Sequence, residues 1–157
     1  MIAESNWKEQ LKNLRHEHLK AKAPGFYELS GGNRMKLKPY NDTTANGLTK
    51  AIIDWITFHG GSATRISCTG QVRKINGVMK YTNGTTRRGT SDIMACIRGK
   101  FLSIEVKVGK DKLSEFQVKE KALIEKSGGL YFVAKDMESF TEWFGNTFLI
   151  DNNNKKQ

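Results

Sequence analysis

Long hydrophobic runs and cysteines are both scarce in this chain of 157 residues. No apolar stretch is long enough to cross a membrane, and Met1–Gln10 lacks the hydrophobic region of a secretion signal. Cys68 and Cys96 are too isolated for a zinc site or a disulfide framework, which predicts two small core residues in a reducing compartment. These absences favour a cytoplasmic protein with no membrane partner, and the length suits one domain.

Histidine is also scarce, and the 3 histidines do not suggest a catalytic set. His16 and His18 are two positions apart on an expected helix, so they point to different faces and form a poor metal pair. His59 stands at an expected helix end, where it would interact with the helix dipole. The sequence has no phosphate-binding loop, no dinucleotide-binding glycine pattern, no zinc-finger spacing and no serine–histidine–aspartate arrangement.

Acidic residues are few in the middle of the chain. Residues 46–100 carry nine lysines and arginines against two acidic residues, whereas residues 101–157 carry nine of each. The formal net charge is +10. A basic excess of this kind favours a polyanionic partner, most simply nucleic acid, although a solubilising surface has the same composition.

Two carboxylates and a lysine are predicted to converge within this basic region. Asp92 closes a glycine-bearing turn, and Glu105 and Lys107 occupy alternate positions of an apolar run. Alternate residues of a strand share a face, so Glu105 and Lys107 would point together and Val106 into the core. A hairpin of Ile93–Ile97 with Phe101–Val108 would place Asp92 beside Glu105.

Such a group could hold a hard divalent cation beside a proton-handling amine. The alternative is a surface cluster of ion pairs, which would contribute little to stability. The apolar residues on both sides of the Glu-Val-Lys sequence argue against that alternative, because unpaired charge in a buried strand is costly.

The Asp92, Glu105-Val106-Lys107 pattern resembles that of the PD-(D/E)xK nuclease superfamily, with Ser91 at the position of the proline. Downstream, Ser114-Glu115-Phe116-Gln117 opens an expected helix, and Gly128-Gly129 leads into an expected strand. This order is similar to the VRR-NUC branch, the virus-type replication and repair nucleases, which are akin to Holliday-junction resolvases. The resemblance covers about residues 46 to 135.

The resemblance implies an α/β fold with a restriction-endonuclease-like core, in which helices flank a mixed central sheet. It implies a Mg²⁺-dependent endodeoxyribonuclease, with Mn²⁺ able to substitute. Asp92, Glu105 and the Val106 carbonyl would hold the metal, and Lys107 would position or activate water. Gln117 would face the site, although a capping box with Ser114 explains the same residue without catalysis.

One departure from the family pattern concerns the metal ligands. The first core helix of the family often carries an acidic residue near its start. Here that region reads Thr43-Thr44-Ala45-Asn46-Gly47. Asn46 is a weak substitute, and Asp42 would have to reach in from the preceding loop.

A basic hairpin is predicted around Asn76-Gly77, because a type I′ turn needs positive φ at both positions. It would project near the site and contact phosphates, unless it is an ordinary solvated hairpin. The residues expected to contact nucleic acid are Arg65, Arg73, Lys74, Lys80, Arg87, Arg88, Ser91 and Lys110.

Three regions are expected along the chain: a basic helix and linker at 1–43, the nuclease domain at 44–150 and a disordered polar tail at 151–157. The basic helix is expected over 5–22, capped by Ser5 and ended by Pro24-Gly25, with a loop over 25–45. The further expected elements are helices at Thr49–Phe58, Ser114–Lys126 and Met137–Phe144, and strands at Ser62–Cys68, Gln71–Ile75, Val78–Thr82 and Leu130–Ala134.

The family context suggests branched or flapped DNA in replication, recombination or repair, in a bacterial or phage-infected cell. The small size suggests a homodimer or partner proteins. Two alternatives stay open: a catalytically inactive nucleic-acid-binding protein, and an RNA endonuclease with Tyr40 and Tyr81 as stacking candidates.

Overall fold

The computed structural model describes residues 7–66, 71–82 and 87–149, apart from the side chains of 71–73 and 81–82. The helices are α1 (Trp7–Lys22), α2 (Pro24–Leu29), α3 (Ala45–Phe58), α4 (Glu115–Lys126) and α5 (Met137–Phe144), with a 3₁₀ turn at Gly32–Arg34 and a π-helical turn at Gly145–Leu149. The strands are β1 (Ser62–Arg65), β2 (Gln71–Ile75), β3 (Val78–Thr82), β4 (Ile93–Ile97), β5 (Lys100–Val106) and β6 (Leu130–Ala134).

The central sheet has four strands in the order β1-β4-β5-β6. β4 is antiparallel to β1 and β5, whereas β5 and β6 run parallel. The predicted mixed sheet is therefore confirmed, with β5 in its interior. The β4–β5 turn has positive φ at Arg98 (50°) and Gly99 (73°), as a two-residue type I′ turn requires.

One face of this sheet forms the hydrophobic core. Ile93, Ile104 and Val106 belong to the same buried cluster as residues of α3, α5 and α1. Phe140 and Phe144 of α5 are fully buried there. Since α4 reaches Glu105 on the other face (described below), helices flank both faces, as expected.

Helix α1 packs on the core through Trp7 and Leu11. The expected loop after it is wrong in part. Pro24 begins α2 at its first turn, where its fixed φ suits a helix and its missing N–H costs nothing. Tyr27 of α2 is buried, with its hydroxyl 3.1 Å from Nδ1 of His16.

β2 and β3 form the predicted hairpin, with φ of 51° at Asn76 and 82° at Gly77. The prediction for Cys96 is wrong: it is exposed, because β4 alternates and its neighbours Ala95 and Ile97 take the core face. Ser5, Cys68 and the tail 151–157 lie outside the described residues. Within the described ranges, no helix has the length and apolar character needed to cross a membrane.

Candidate active site

Asp92 and Glu105 meet at one end of the sheet. The β4–β5 register pairs Ile93 with Ile104, so the residues one step further along, Asp92 and Glu105, are neighbours on the opposite face. The main-chain N–H of Val106 donates to Oδ2 of Asp92 at 3.0 Å. The side chain of Val106 lies in the core. The predicted convergence is thus present in the structure.

Glu105 is a buried carboxylate whose two oxygens have different surroundings. Oε1 accepts from Gln117 Nε2 at 2.5 Å and lies 3.0 Å from Lys107 Nζ. Oε2 is buried and has no hydrogen-bond partner among the described residues. Burial raises the pKa of Glu105, the charge of Asp92 raises it further, and the hydrogen bond from Lys107 opposes both.

A buried carboxylate oxygen without a donor is costly, so this oxygen is a place where a cation or a water would bind favourably. Asp92 and Glu105 supply carboxylate oxygens, and the Val106 carbonyl is the third oxygen that the resemblance implies. This all-oxygen set fits Mg²⁺, which keeps several of its waters and needs few protein ligands.

A third carboxylate is not brought to this group. Oδ2 of Asp42 accepts instead from the main-chain N–H of Met137 at 3.2 Å, at the start of α5. Asn46 is exposed on the first turn of α3. In the described part of the chain, no group of three or more His, Cys, Asp or Glu residues could hold a metal ion. Among the described residues, the oxygens gathered at this sheet end therefore come from two carboxylates and the main chain.

Gln117 makes the capping box and also contacts the Glu105 carboxylate, so neither interpretation of the sequence excludes the other. It completes the capping box of α4, because its Oε1 accepts from Ser114 N at 2.9 Å and its own N–H donates to Ser114 Oγ at 3.3 Å. Its Nε2 then donates to Glu105. The helix start thereby fixes the orientation of the amide that holds the Glu105 carboxylate.

The turn before Asp92 is packed tightly on α4. Gly89 has a φ of +87°, and a Cβ there would lie 2.5 Å from the carbonyl oxygen of Phe116. Arg87 Nη2 lies 2.5 Å and 2.6 Å from the two carboxylate oxygens of the buried Glu120. These contacts tie the Asp92 turn to the helix that carries Gln117.

The sequence patterns did not identify Glu120 and Tyr131 as neighbours of this group. Glu120 follows Gln117 by three positions, which is a same-face signal, but its partner Arg87 is distant in the sequence. Tyr131 pairs with Ser103 in the parallel register, on the face of Glu105. Burial raises the pKa of Tyr131, and the charges of Glu105, Asp92 and Glu120 raise it further.

Most of the predicted nucleic-acid contacts are exposed where their side chains are described: Arg65, Lys74, Lys80, Arg87, Arg88 and Lys110. The side chain of Arg73 lies outside the description. Ser91 is a correction, because it is 1% exposed and its hydroxyl lies 2.5 Å from that of Ser103. Because Ser91 is buried, its hydroxyl does not reach a phosphate at the surface.

Neither a protein-family model nor a curated protein matches the chain. The functional argument therefore depends on the residues of the site.

Proposed function

We propose that this protein is a metal-dependent endonuclease that hydrolyses DNA phosphodiester bonds, on a restriction-endonuclease-like core of the PD-(D/E)xK superfamily and its VRR-NUC branch. The observation that carries the proposal is the convergence of Asp92, Glu105 and Lys107 at one sheet end, with Oε2 of Glu105 buried and unpartnered among the described residues. A purely structural ion pair would have no need of the second carboxylate.

Asp92, Glu105 and the Val106 carbonyl would hold Mg²⁺ or Mn²⁺. When bound, such an ion neutralises charge on the phosphoryl oxygens and lowers the pKa of a coordinated water. Lys107 lies beside Glu105 with its side chain 14% exposed, so its ammonium can reach both the carboxylate and a water at the surface. Gln117 donates to Oε1 of Glu105, so Oε2 would be the oxygen available to such an ion.

The basic residues near this group would bind the DNA backbone. Arg65 pairs with Ile93 across β1 and β4, and Ile66 N donates to the Asp92 carbonyl at 2.8 Å. Arg65 and Arg88 are exposed on the segments that surround Asp92. Cations in these positions would bring phosphates to the carboxylates and determine orientation without reading sequence.

A second candidate is a nucleic-acid-binding protein that has lost catalysis. One observation favours it: Asp42, the nearest substitute for the first-helix carboxylate of the family, is hydrogen-bonded to the α5 N-terminus. In that case binding would survive EDTA and no divalent ion would support cleavage.

The test is incubation with labelled single-stranded, duplex, flap and four-way-junction DNA and with RNA, in Mg²⁺, Mn²⁺ or EDTA. Asp92→Ala and Lys107→Ala are compared with Asp111→Ala and Lys112→Ala, which remove exposed side chains of the same types. We expect metal-dependent cutting of DNA that falls about 10²-fold or more in the site variants only. Cutting by the Asp92 variant at the wild-type rate would overturn the proposal. Cutting of RNA alone would mean that the substrate is RNA rather than DNA.

A light-scattering mass with and without DNA tests the expected homodimer. Two chains per complex would present two sites to two strands, whereas one chain at micromolar concentration would remove that expectation.

A further inference from the structure

A basic cleft lies between α1 and the extended segment that precedes α3. Its volume is about 360 Å³, and its apolar floor is formed by Leu37, Pro39 and Tyr40. The basic residues around it are Lys8, Lys12, Arg15 and Lys38, with Glu9 as the acidic residue. A cleft of this size is within the range of small-ligand sites.

Among the residues that line this cleft, four are basic and one is acidic. Lys12 lies 3.4 Å from Glu9, but Lys8, Arg15 and Lys38 form no ion pair with any residue in the described ranges. Like charges gathered in one place repel one another, and an anion would relieve that repulsion. The charge therefore indicates an anionic ligand.

Two side chains of the cleft are already held in place. The Tyr40 hydroxyl donates to Asp54 Oδ2 on α3 at 2.7 Å, and Arg15 donates to the Lys38 carbonyl at 3.3 Å. The Arg15 guanidinium carbon and the Lys50 ammonium lie 5.7 Å and 5.6 Å from the centroid of the Tyr40 ring. Proteins that bind single-stranded nucleic acids combine aromatic rings, which contact bases, with cations, which contact phosphates.

The cleft belongs to a different layer from α4, because α1 packs on α3 and α5 at the core face of the sheet. Its floor nevertheless leads to the catalytic end. Two residues after Tyr40, Asp42 contacts the N–H of Met137, shortly beyond the end of β6. β5 and β6 run parallel, so this is the sheet end that carries Glu105 and Lys107.

We infer that this cleft binds one strand of nucleic acid, with phosphates on Lys8, Lys12 and Lys38 and a base against the Leu37–Tyr40 floor. It would be a contact separate from the basic residues around Asp92. The inference shares a nucleic-acid partner with the proposed function but does not require cleavage. An acidic protein segment would neutralise the same cations, and competition by polyglutamate tests for it.

The test is fluorescence anisotropy of a labelled 15-nucleotide thymidine oligomer with the full chain in EDTA, over a range of salt concentrations. Lys8→Gln/Lys12→Gln is compared with Lys20→Gln/Lys22→Gln, which removes the same charge from the last turn of the same helix. We expect the cleft variant to lower the magnitude of the salt slope by about 1.4, the value for two phosphate contacts to a single strand. The control variant should leave the slope near that of the wild type.

The base contact is tested by photocrosslinking an oligomer that carries 5-iododeoxyuridine and mapping the crosslinked peptide. A crosslink at Tyr40 supports the cleft. Equal salt slopes for the two double variants would overturn the inference. So would competition by polyglutamate that equals competition by an unlabelled oligomer of the same charge. If the cleft variant has the smaller salt slope and the wild type cleaves no DNA, the proposed nuclease is refuted but the binding role of the cleft is supported.

Discussion

The two faces of β5 differ in what their side chains do. Ile104 and Val106 on one face are apolar and fully or almost fully buried in the core. Ser103 and Glu105 on the other face are equally buried but polar, and they contact Ser91, Lys107 and Gln117. One strand thus supplies hydrophobic stabilisation on one side and a costly charged group on the other, which is the pattern expected where stability is given up for chemistry.

The largest expected effect is at the polar face. Glu105→Gln should lower the rate of metal-dependent DNA cleavage by about 10³-fold, because it removes a charged ligand. In the metal-free protein the change relieves the burial of charge and the repulsion from Asp92 but leaves Lys107 without its ion-pair partner. These contributions oppose each other, so stability should change by less than about 2–5 kcal/mol, the cost of a core cavity. Single-turnover cleavage and chemical denaturation measure the two effects, and a large loss of stability would contradict the comparison.

At the core face, Ile104→Ala should destabilise the protein by about 2–5 kcal/mol, because Ile104 is fully buried and its loss leaves a cavity. The measurement is the free energy of unfolding in urea. Cleavage by the folded fraction should stay near that of the wild type, and the matched change Ser103→Ala should cost much less stability.

How far the sequence predicts this structure depends on how local the signal is. The Asn76-Gly77 turn and the Ser114 cap of α4 are set by neighbouring residues, and both predictions are confirmed. The convergence of Asp92 with Glu105 was also predictable, because a short turn fixes the β4–β5 register.

Contacts between distant segments were not predictable in the same way. The Arg87–Glu120 pair joins residues 33 positions apart, and no local pattern marks either residue as the partner of the other. The burial of Ser91 accompanies its contact with Ser103 of β5, twelve positions away, and the exposure of Cys96 depends on which face of β4 meets the core. Pro24 was misread because the same residue can end one helix and begin another.

The packing of the Asp92 turn on α4 gives a matched pair of glycine substitutions. Gly89→Ala should lower the free energy of unfolding by about 1–3 kcal/mol because of the positive φ, and further because Phe116 must move. The same displacement would move Gln117 and should slow cleavage. Gly99→Ala has the same backbone penalty, with a φ of +73°, but its Cβ would meet nothing within 4 Å. Equal cleavage rates in the two folded variants would show that the close approach at Gly89 does not position the site.

Gln117→Glu separates helix capping from the hold on Glu105. A glutamate at this position still completes the capping box, so the stability of α4 should change little. The variant loses the donor to Glu105 and adds a negative charge, so cleavage should fall by about tenfold, the equivalent of one hydrogen bond to a charged group. Cleavage equal to that of the wild type would leave Gln117 a purely structural residue.

The smallest expected effect concerns Tyr131 at alkaline pH. Its pKa is raised from the ordinary value of 10.0, so folding favours the neutral hydroxyl. The stability it contributes is complete below pH 10 and is lost as the unfolded chain ionises at higher pH. Tyr131→Phe should flatten that alkaline decline in unfolding free energy by about 1 kcal/mol or less. An unchanged pH profile would mean that Tyr131 is not held neutral beside the carboxylates.

The most direct test of the central claim is the Mg²⁺ dependence of DNA cleavage by the wild type beside Glu105→Gln at one protein concentration. We predict saturable, EDTA-sensitive cleavage by the wild type that Glu105→Gln loses while it stays folded and binds DNA equally well. Cleavage that persists in EDTA, or that follows the same Mg²⁺ curve in the variant, would contradict the account of this site.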